Sequence, residues 1–315
     1  MLTEEYRPTN LSQIVGQDLN IEIIKGFIKK GKLPHMLFYG PPGTGKTSAI
    51  LCIAREYYGD DWRSYFIEQN ASDDRGIGVV RDKIKREAAI ATLDYPFKIY
   101  FLDECDALTP EAQDSLRRII EKNTDRTVFI LSCNHKNKLI DPLINRCVPF
   151  NFKPLDKESI RAYIKKVAHE NNMTIKPPAI NLLADFANGS VRPVLNTFEK
   201  FIATDIKEIT EQYVTNYTGM IIEKIVIQLI GLLKSGGDLS AIDAYIDNVI
   251  LENGYEPSEI LQKMYKYIKD THLLTEKEKL ITLKLIGDVD FRIAEGATPS
   301  IQLKTLFAYL LLKMS

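Results

Sequence analysis

Residues 40–47 carry the pattern of a phosphate-binding loop, G-x-x-x-x-G-K-[ST], at every fixed position. A predicted strand over 36–39 precedes this loop and a predicted helix over 46–58 follows it. This context directs backbone N–H groups and the positive end of the helix dipole at phosphate oxygens. We expect Lys46 to contact the β- and γ-phosphates and Thr47 to offer its hydroxyl to Mg²⁺.

Two adjacent carboxylates, Asp103 and Glu104, directly follow the apolar strand candidate 99–102. Acidic side chains at the carboxyl end of such a strand lie beside the phosphate loop in a parallel sheet. We expect Asp103 to hold Mg²⁺ through its water shell. Glu104 is expected to orient and polarise the attacking water.

Three further polar side chains are candidates for contact with the transferred phosphate. Asn134 ends the apolar strand candidate 128–132, where its amide could bridge the γ-phosphate and the attacking water. Arg192 could stabilise phosphate charge within the chain, and Arg146 could do so on a neighbouring chain's nucleotide. Alone, an asparagine here is common in turns, and each arginine would more often be a surface residue.

A predicted helix over 77–91 is rich in basic residues. Arg81 and Lys85 are four residues apart and therefore share one face. Such a face can follow the phosphate backbone of a nucleic acid. The alternative is an ordinary solvated face, because nearby Asp82 and Glu87 partly balance its charge.

Strand and helix signals alternate through the first half of the chain, which indicates a parallel sheet covered on both faces. The predicted helices lie at 46–58, 77–91 and 110–122, and the predicted strands at 36–39, 65–68, 99–102, 128–132 and 148–152.

From Pro154 onward only helical periodicity is present. Four short helices are predicted over 153–217, and about five over 218–315. The last segment carries 11 basic and 13 acidic residues, which makes it a poor candidate for DNA contact. It suits either protein–protein packing or a stable accessory bundle.

Composition excludes several classes of protein. The chain has 315 residues and a net charge of −1, which argues against a protein that coats nucleic acid with its whole surface. Its four cysteines form no C-x-x-C pair and its four histidines are scattered, so we expect reduced thiols, no zinc site and a reducing intracellular compartment. Neither a secretory signal nor an apolar run of membrane-spanning length is visible.

Taken together, these residues resemble the AAA+ family and, within it, the small subunits of the replication factor C clamp loaders. Residues 5–8 and 14–17 are similar to the N-terminal box of the family, residues 70–76 to the segment after its second strand, and residues 103–106 to its acidic box. Asn134 and Arg192 fall at the sensor-1 and sensor-2 positions. Arg146 falls on the trans arginine of a Ser-Arg-Cys motif, although Asn145 stands in place of the serine.

The resemblance implies a fold and a set of site residues. The fold is an α/β P-loop AAA+ domain (1–152) with a parallel five-stranded sheet, a small helical lid domain (153–217) and an all-α C-terminal collar (218–315). ATP and Mg²⁺ are the implied cofactors. The implied nucleotide contacts are Tyr6, Arg7, Pro8, Val15, Gly40, Pro41, Pro42, Gly43, Thr44, Gly45, Lys46, Thr47, Ser48, Asn134 and Arg192.

The same resemblance implies partners that the residues alone do not reveal. These are a large clamp-loader subunit, other small subunits in a five-membered ring, the sliding clamp and primer–template DNA. The helix that carries Arg81 and Lys85 would face DNA, and the segment around 89–93 would contact the clamp. No membrane partner is expected, and the compartment would be the cytoplasm in an archaeon or the nucleus in a eukaryote.

Two other functions remain open from the sequence. A structural clamp-loader subunit would hold nucleotide without hydrolysing it, although Lys46, Asp103, Glu104 and Asn134 are all present. A branch-migration or remodelling protein of the AAA+ family would be expected to carry a basic DNA-binding C-terminal domain or an aromatic pore loop. The acidic final third argues against the first of these features.

Overall fold

The computed structural model describes residues 1–72, 80–92, 94–218, 221–235, 238–252 and 254–314. These residues form two compact units, Met1–Ile209 and Thr210–Ser315, which are described separately. The three-domain division at residues 152 and 217 stays a prediction. The four cysteines are buried and unpaired, as the sequence predicts.

The first unit is built on a five-stranded sheet in which every pairing is parallel. The strands in chain order are β1 (Met36–Tyr39), β2 (Phe66–Asn70), β3 (Lys98–Asp103), β4 (Thr127–Cys133) and β5 (Val148–Asn151). In space the order is β2-β3-β4-β1-β5. The sheet confirms the predicted AAA+ architecture, and it brings the ends of β1, β3 and β4 to one edge, where ligands bind in such folds.

Helices cover both faces of this sheet, as its apolar strands require. In chain order, the helices before β5 are α1 (Leu2–Glu5), α2 (Asp18–Lys29), α3 (Lys46–Tyr58), α4 (Lys85–Ala89), α5 (Pro110–Lys122) and α6 (Asp141–Ile144). Phe38 and Phe101 face one core, and Tyr100 and Phe129 face the other. Each fully buried phenylalanine stabilises the fold by roughly 1.5–3 kcal/mol.

The predicted helix over 77–91 differs in detail from the structure. Residues 73–79 lie outside the described part of the chain, so its beginning is not compared. A π-helical turn covers Val80–Ile84, and α4 then ends at Ala89. Buried Ile84 and Ala88 hold this segment on the sheet.

The rest of the first unit is mainly helical, as predicted, with helices α7 (Lys157–Glu170), α8 (Pro177–Ala187) and α9 (Val191–Ala203). The prediction of helices alone after Pro154 was wrong at one place. Two short strands, β6 (Thr174–Ile175) and β7 (Glu208–Ile209), pair in parallel. Two residues are too few to give an alternating apolar pattern, so this pairing had no sequence signal.

The second unit contains only helices among its described residues. They are α10 (Glu211–Thr218), α11 (Ile221–Lys234), α12 (Leu239–Tyr245) continued by a π-helical turn at Ile246–Leu251, α13 (Pro257–Asp270), α14 (Glu276–Ala294) and α15 (Pro299–Met314). Ile246, Met264 and Phe307 lie in their common core.

No single described helix is long and apolar enough to cross a membrane. One pair of helices, α10 and residues 222–234, has the required length and composition only when the two are taken together, and the pair is bent by 94°.

Candidate nucleotide site

The loop between β1 and α3 needs glycine at two positions where other chain segments approach it closely. A Cβ on Gly40 would lie 2.0 Å from the carbonyl oxygen of Phe152, and one on Gly43 would lie 2.0 Å from Oγ of Ser190. Both glycines also have positive φ angles, 144° and 75°. The loop is therefore held against the segment after β5 and against the start of α9.

Helix α3 begins at Lys46 without a side-chain cap. Its preceding residue, Gly45, has a φ of 98°, which turns the chain sharply into the helix. The first N–H groups of a helix have no partner within that helix. Together with the positive end of the helix dipole, they form an anion-binding position at the edge of the sheet.

Lys46 is 7% exposed, and its ammonium group contacts the carbonyl groups of the loop. Its Nζ donates to the carbonyl oxygens of Gly40 (2.7 Å) and Pro41 (2.9 Å) and to Oδ1 of Asn134 (3.0 Å). Burial lowers the pKa of Lys46, and the Asp103 carboxylate opposes that effect. A buried cation in a ring of oxygens is suited to bind phosphate oxygens in place of carbonyls.

Thr47 and Asp103 supply neighbouring oxygen atoms next to this ammonium group. Oγ1 of Thr47 donates to Oδ2 of Asp103 at 3.3 Å, and the Glu104 backbone N–H donates to Oδ1 of Asp103 at 2.9 Å. A hydroxyl and one carboxylate fit Mg²⁺, which completes its shell with water and substrate phosphates. The described residues hold no cluster of three or more His, Cys, Asp or Glu side chains that would suit a metal bound by protein alone.

Glu104 has a left-handed backbone conformation, with a φ of 52°. Such a conformation in a residue other than glycine costs of order 1–3 kcal/mol and is concentrated at functional sites. It turns the chain immediately after β3, and Glu104 lines the same cleft as Asp103. The structure therefore brings the Glu104 residue to the cleft that also contains Lys46 and Asp103.

The two predicted phosphate-contacting arginines lie in different places. Arg192 lies in the first turn of α9 and lines the cleft with Lys46 and Asn134. Arg146 does not line it: its Nη2 pairs with Oε1 of Glu121 at 2.7 Å, and its side chain is 55% exposed. Only Arg192 therefore belongs to the cleft of its own chain.

A cleft of about 980 Å³ extends from the loop to the N-terminal segment. Tyr6, Arg7, Pro8 and Val15 line it, as do Pro42, Gly43, Thr44, Gly45, Thr47 and Ser48, whereas Gly40 and Pro41 contact Lys46 through their carbonyl groups. The Tyr6 hydroxyl accepts a hydrogen bond from Nδ2 of Asn171 at 2.8 Å.

Sequence reasoning missed several residues of this cleft. They come from the helical part of the first unit and from β2, and they are Glu68, Leu155, Tyr163, Lys166, Glu170, Leu195 and Asn196. Burial raises the pKa of Tyr163 and that of Glu68.

The two predicted DNA contacts are not among the residues that line the cleft. Lys85 is exposed at the start of α4, and the Arg81 side chain is outside the described part of the structure.

Comparison with known proteins agrees with this geometry. Residues 36–155 match the ATPase family associated with various cellular activities (AAA), and residues 221–309 match the replication factor C C-terminal domain. A solved Thermotoga maritima RuvB, a Holliday junction branch migration motor, shares the fold with a TM-score of 0.56 at 19% identity, over 86% of this chain and 96% of that one.

The family assignment rests on relatives that match this chain over nearly the whole length of both proteins. The replication factor C small subunit of Sulfolobus acidocaldarius is 37% identical over 311 residues, which cover 98% of this chain and 95% of the relative. That of Archaeoglobus fulgidus is 37% identical over 309 residues, which cover 98% and 96% of the two chains. This chain belongs to the replication factor C small-subunit family.

Proposed function

We propose that this chain is an ATP-hydrolysing small subunit of a clamp loader, which places a ring-shaped sliding clamp on primer–template DNA. One observation carries the enzymatic part of the proposal. Lys46, Thr47, Asp103, Glu104, Asn134 and Arg192 meet at a single cleft between the sheet edge and α9. Family membership supports the clamp-loading part.

We assign each residue of the cleft a separate role in phosphate transfer. Lys46 and the N-terminus of α3 bind the phosphates, while Thr47 and Asp103 would hold Mg²⁺. The ion would neutralise charge on the phosphate oxygens. Glu104 accepts the proton of the attacking water, and Asn134 fixes the position of that water against Lys46.

The two arginines would complete the site in different ways. Arg192 acts from α9 of the same chain, so its approach to phosphate depends on how α9 sits against Gly43. Arg146 is exposed and held away from its own cleft by Glu121, which suits delivery to the nucleotide of a neighbouring subunit.

The proposed partners are a large clamp-loader subunit, other small subunits in a five-membered ring, the sliding clamp and primer–template DNA. Large exposed apolar side chains on the second unit support a packing role for it, and they include Leu280, Phe291, Ile301 and Leu312. The relatives come from archaea, which favours the cytoplasm as the compartment.

The test is the ATPase activity of the assembled complex with clamp and primed DNA, each alone and together. The proposal expects the highest rate with both. A chain that binds ATP without hydrolysing it in every mixture would be a structural subunit. Stimulation by four-way junctions in place of primed DNA with clamp would instead support a branch-migration motor.

A further inference from the structure

Helix α4 is fastened at its C-terminal end by side chains that come from β3, β4 and the residue before β4. The last four carbonyl groups of an α-helix have no partner in its regular hydrogen-bond pattern. The carbonyl oxygens of residues 87–90 accept hydrogen bonds from Lys98 (Glu87 and Ile90, the latter at 2.8 Å), Thr127 (Ala88, 2.9 Å) and Arg126 (Ala89, 3.3 Å). Lys98 is only 5% exposed, and its charge also suits the negative end of the helix dipole.

A second connection joins the side of α4 to two strands. Tyr100 on β3 is fully buried, and its hydroxyl lies 2.6 Å from Oε1 of Gln69 on β2 and 2.9 Å from Oε2 of Glu87 on α4. One hydroxyl group therefore joins β2, β3 and α4.

Both neighbours of this hydroxyl group are acceptors. The Tyr100 O–H donates to Oε1 of Gln69 and to Oε2 of Glu87, so its single hydrogen is shared between an oxygen on β2 and an oxygen on α4. Burial, followed by the hydrogen bond to Glu87, raises the pKa of Tyr100 and keeps this hydrogen in place.

The strands that meet at Tyr100 end at the nucleotide site. Tyr100 and Asp103 lie on the same strand, β3. Gln69 precedes Asn70, which pairs with Asp103 in the register of the sheet, and the Ala71 N–H donates to the Asp103 carbonyl oxygen at 2.9 Å. The hydroxyl group that contacts Glu87 therefore lies on a strand whose end is Asp103, and its other partner lies on the neighbouring strand, one residue from the partner of Asp103.

We propose that Tyr100 is a positioning residue that couples α4 to the nucleotide cleft through the chain Gln69–Tyr100–Glu87. The coupling rests on the proposed function, because it makes DNA contact at Lys85 alter the site around Asp103. Tyr100 and Glu87 do not line the cleft.

The variant Tyr100→Phe removes only the bridging hydroxyl. Tyr58→Phe is its matched control, because Tyr58 is also buried and its hydroxyl donates to a backbone carbonyl, that of Phe97 at 3.0 Å, and not to a side chain of α4. In the assembled complex we expect both variants to keep the basal ATPase rate within about twofold. Tyr100→Phe should lose at least threefold in the stimulation by primed DNA, and Tyr58→Phe should keep it.

Substitutions of Glu87 distinguish the effect of its hydrogen bond with Tyr100 from the effect of its negative charge. Glu87→Gln retains an acceptor for the Tyr100 hydroxyl and should keep the stimulation, whereas Glu87→Ala should lose it. The double variant Tyr100→Phe/Glu87→Ala should lose no more than either single variant, because both remove the same connection. Equal stimulation in Tyr100→Phe and wild type, or additive losses in the double variant, would overturn the proposal.

Amide hydrogen exchange of residues 85–90 tests the coupling without DNA. In the wild-type chain we expect Mg²⁺ and a non-hydrolysable ATP analogue to change the exchange of these amides, and in Tyr100→Phe we expect that change to be lost. If wild-type ATPase does not respond to primed DNA but this exchange response is present and depends on Tyr100, the proposed function fails and the coupling stands. If the response is the same in both proteins, the coupling fails.

Discussion

The ammonium nitrogen of Lys46 and the amide oxygen of Asn134 lie 3.0 Å apart, across two neighbouring strands of the sheet. Lys46 begins the helix after β1, and Asn134 follows β4, which pairs with β1 in register. The group that we propose binds phosphate and the group expected to sense it are therefore in direct contact. Substitution of either side chain therefore removes a hydrogen bond of the other.

Two substitutions in the cleft should have different effects, because one removes the ammonium group of the loop and the other removes the carboxylate after β3. Lys46→Ala removes the buried cation of the loop and should weaken ATP binding at least 100-fold. Glu104→Gln leaves the loop intact and should bind ATP normally, but hydrolysis should fall by roughly 10²–10⁴-fold, since an amide cannot accept the proton of water. Nucleotide titration and phosphate release measure the two effects, and equal loss of binding in both variants would contradict the assigned roles.

Gly43→Ala tests the contact between the loop and the start of α9. The new Cβ would meet Ser190 Oγ at 2.0 Å and would lie 3.5 Å from Cβ of Arg192. We expect weaker ATP binding and a lower melting temperature. Gly31→Ala is the control, because Gly31 has a similar φ of 65° but no atom within 4 Å of the added Cβ.

Removing the Ser190 hydroxyl should partly restore the Gly43→Ala protein, because the nearest atom then becomes the Ser190 Cβ at 3.1 Å. The double variant Gly43→Ala/Ser190→Ala should therefore bind ATP more tightly than Gly43→Ala. If Gly31→Ala weakens ATP binding as much as Gly43→Ala does, the effect is backbone strain alone and not the contact with α9.

His35 should make the stability of the first unit depend on pH. Its Nδ1 accepts a hydrogen bond from the Phe129 backbone N–H at 3.0 Å, and its Nε2 is buried without a partner. Burial lowers the pKa of His35 to about 4, from an ordinary value of 6.5. The neutral form is favoured in the fold, so this contribution is complete above pH 6.5 and is lost as the pH falls from 6.5 towards 4.

The full effect is at most about 3.4 kcal/mol, because the pKa falls by about 2.5 units and each unit corresponds to 1.36 kcal/mol. Urea unfolding at pH 7 and pH 5 should show a loss of stability that is smaller in His35→Asn, whose amide oxygen can still accept from Phe129. His272→Asn, at an exposed position, serves as the control. An unchanged pH dependence in His35→Asn would show that other groups are responsible.

Local sequence signals predicted the sheet and the loop well, because both depend on short contiguous patterns. The apolar run before Asp103 is enough to indicate a buried strand, and the glycines before Lys46 are recognised from their spacing in one short motif. The contacts that require two of them, with Phe152 and Ser190, are distant in the chain and were not predicted. The observed bounds of β3, Lys98–Asp103, extend the predicted 99–102 by one residue at each end.

The unpredicted features depend on residues far apart in the chain. Tyr163 lines the cleft from α7, which packs against α8 and α9, and a lone tyrosine in an amphipathic helix gives no sign of this position. In the sequence, Lys98 is an ordinary charged residue at the start of a strand. In the structure it is buried, and its ammonium group donates to the carbonyl oxygen of Ile90 after α4. Such contacts follow from the fold and cannot be read before it is known.

Charge reversal at Arg81 and Lys85 tests the predicted DNA contact of the segment that comprises the π-helical turn Val80–Ile84 and α4. The double variant Arg81→Glu/Lys85→Glu should keep basal ATPase activity and lose stimulation by primed DNA. Phosphate contacts release counterions, so DNA affinity of the wild type should fall steeply with salt and that of the variant less steeply. If both proteins respond to primed DNA alike at every salt concentration, this face is only a solvated one.

Arg146 provides the test of catalysis between subunits. Its guanidinium pairs with Glu121 on the surface of α5, so it does not serve the cleft of its own chain. Arginine residues delivered by a neighbour contribute roughly 10³–10⁵-fold in rate in related chemistry. Arg146→Ala should therefore bind ATP nearly normally but hydrolyse it poorly in the assembled ring. Arg118→Ala is the control, since Arg118 is also exposed and pairs with Asp114 of the same helix at 2.8 Å.

Mixing two inactive variants distinguishes action in trans from a local defect. Rings that combine Arg146→Ala subunits with Lys46→Ala subunits contain some interfaces with an intact loop on one side and an intact arginine on the other. Hydrolysis should return at those interfaces, and recovery should be partial because the other interfaces lack one group or both. If mixed rings form, as shown by mass spectrometry of the intact complex, but their ATPase rate does not exceed the sum of the two variants, Arg146 does not act on the neighbouring subunit.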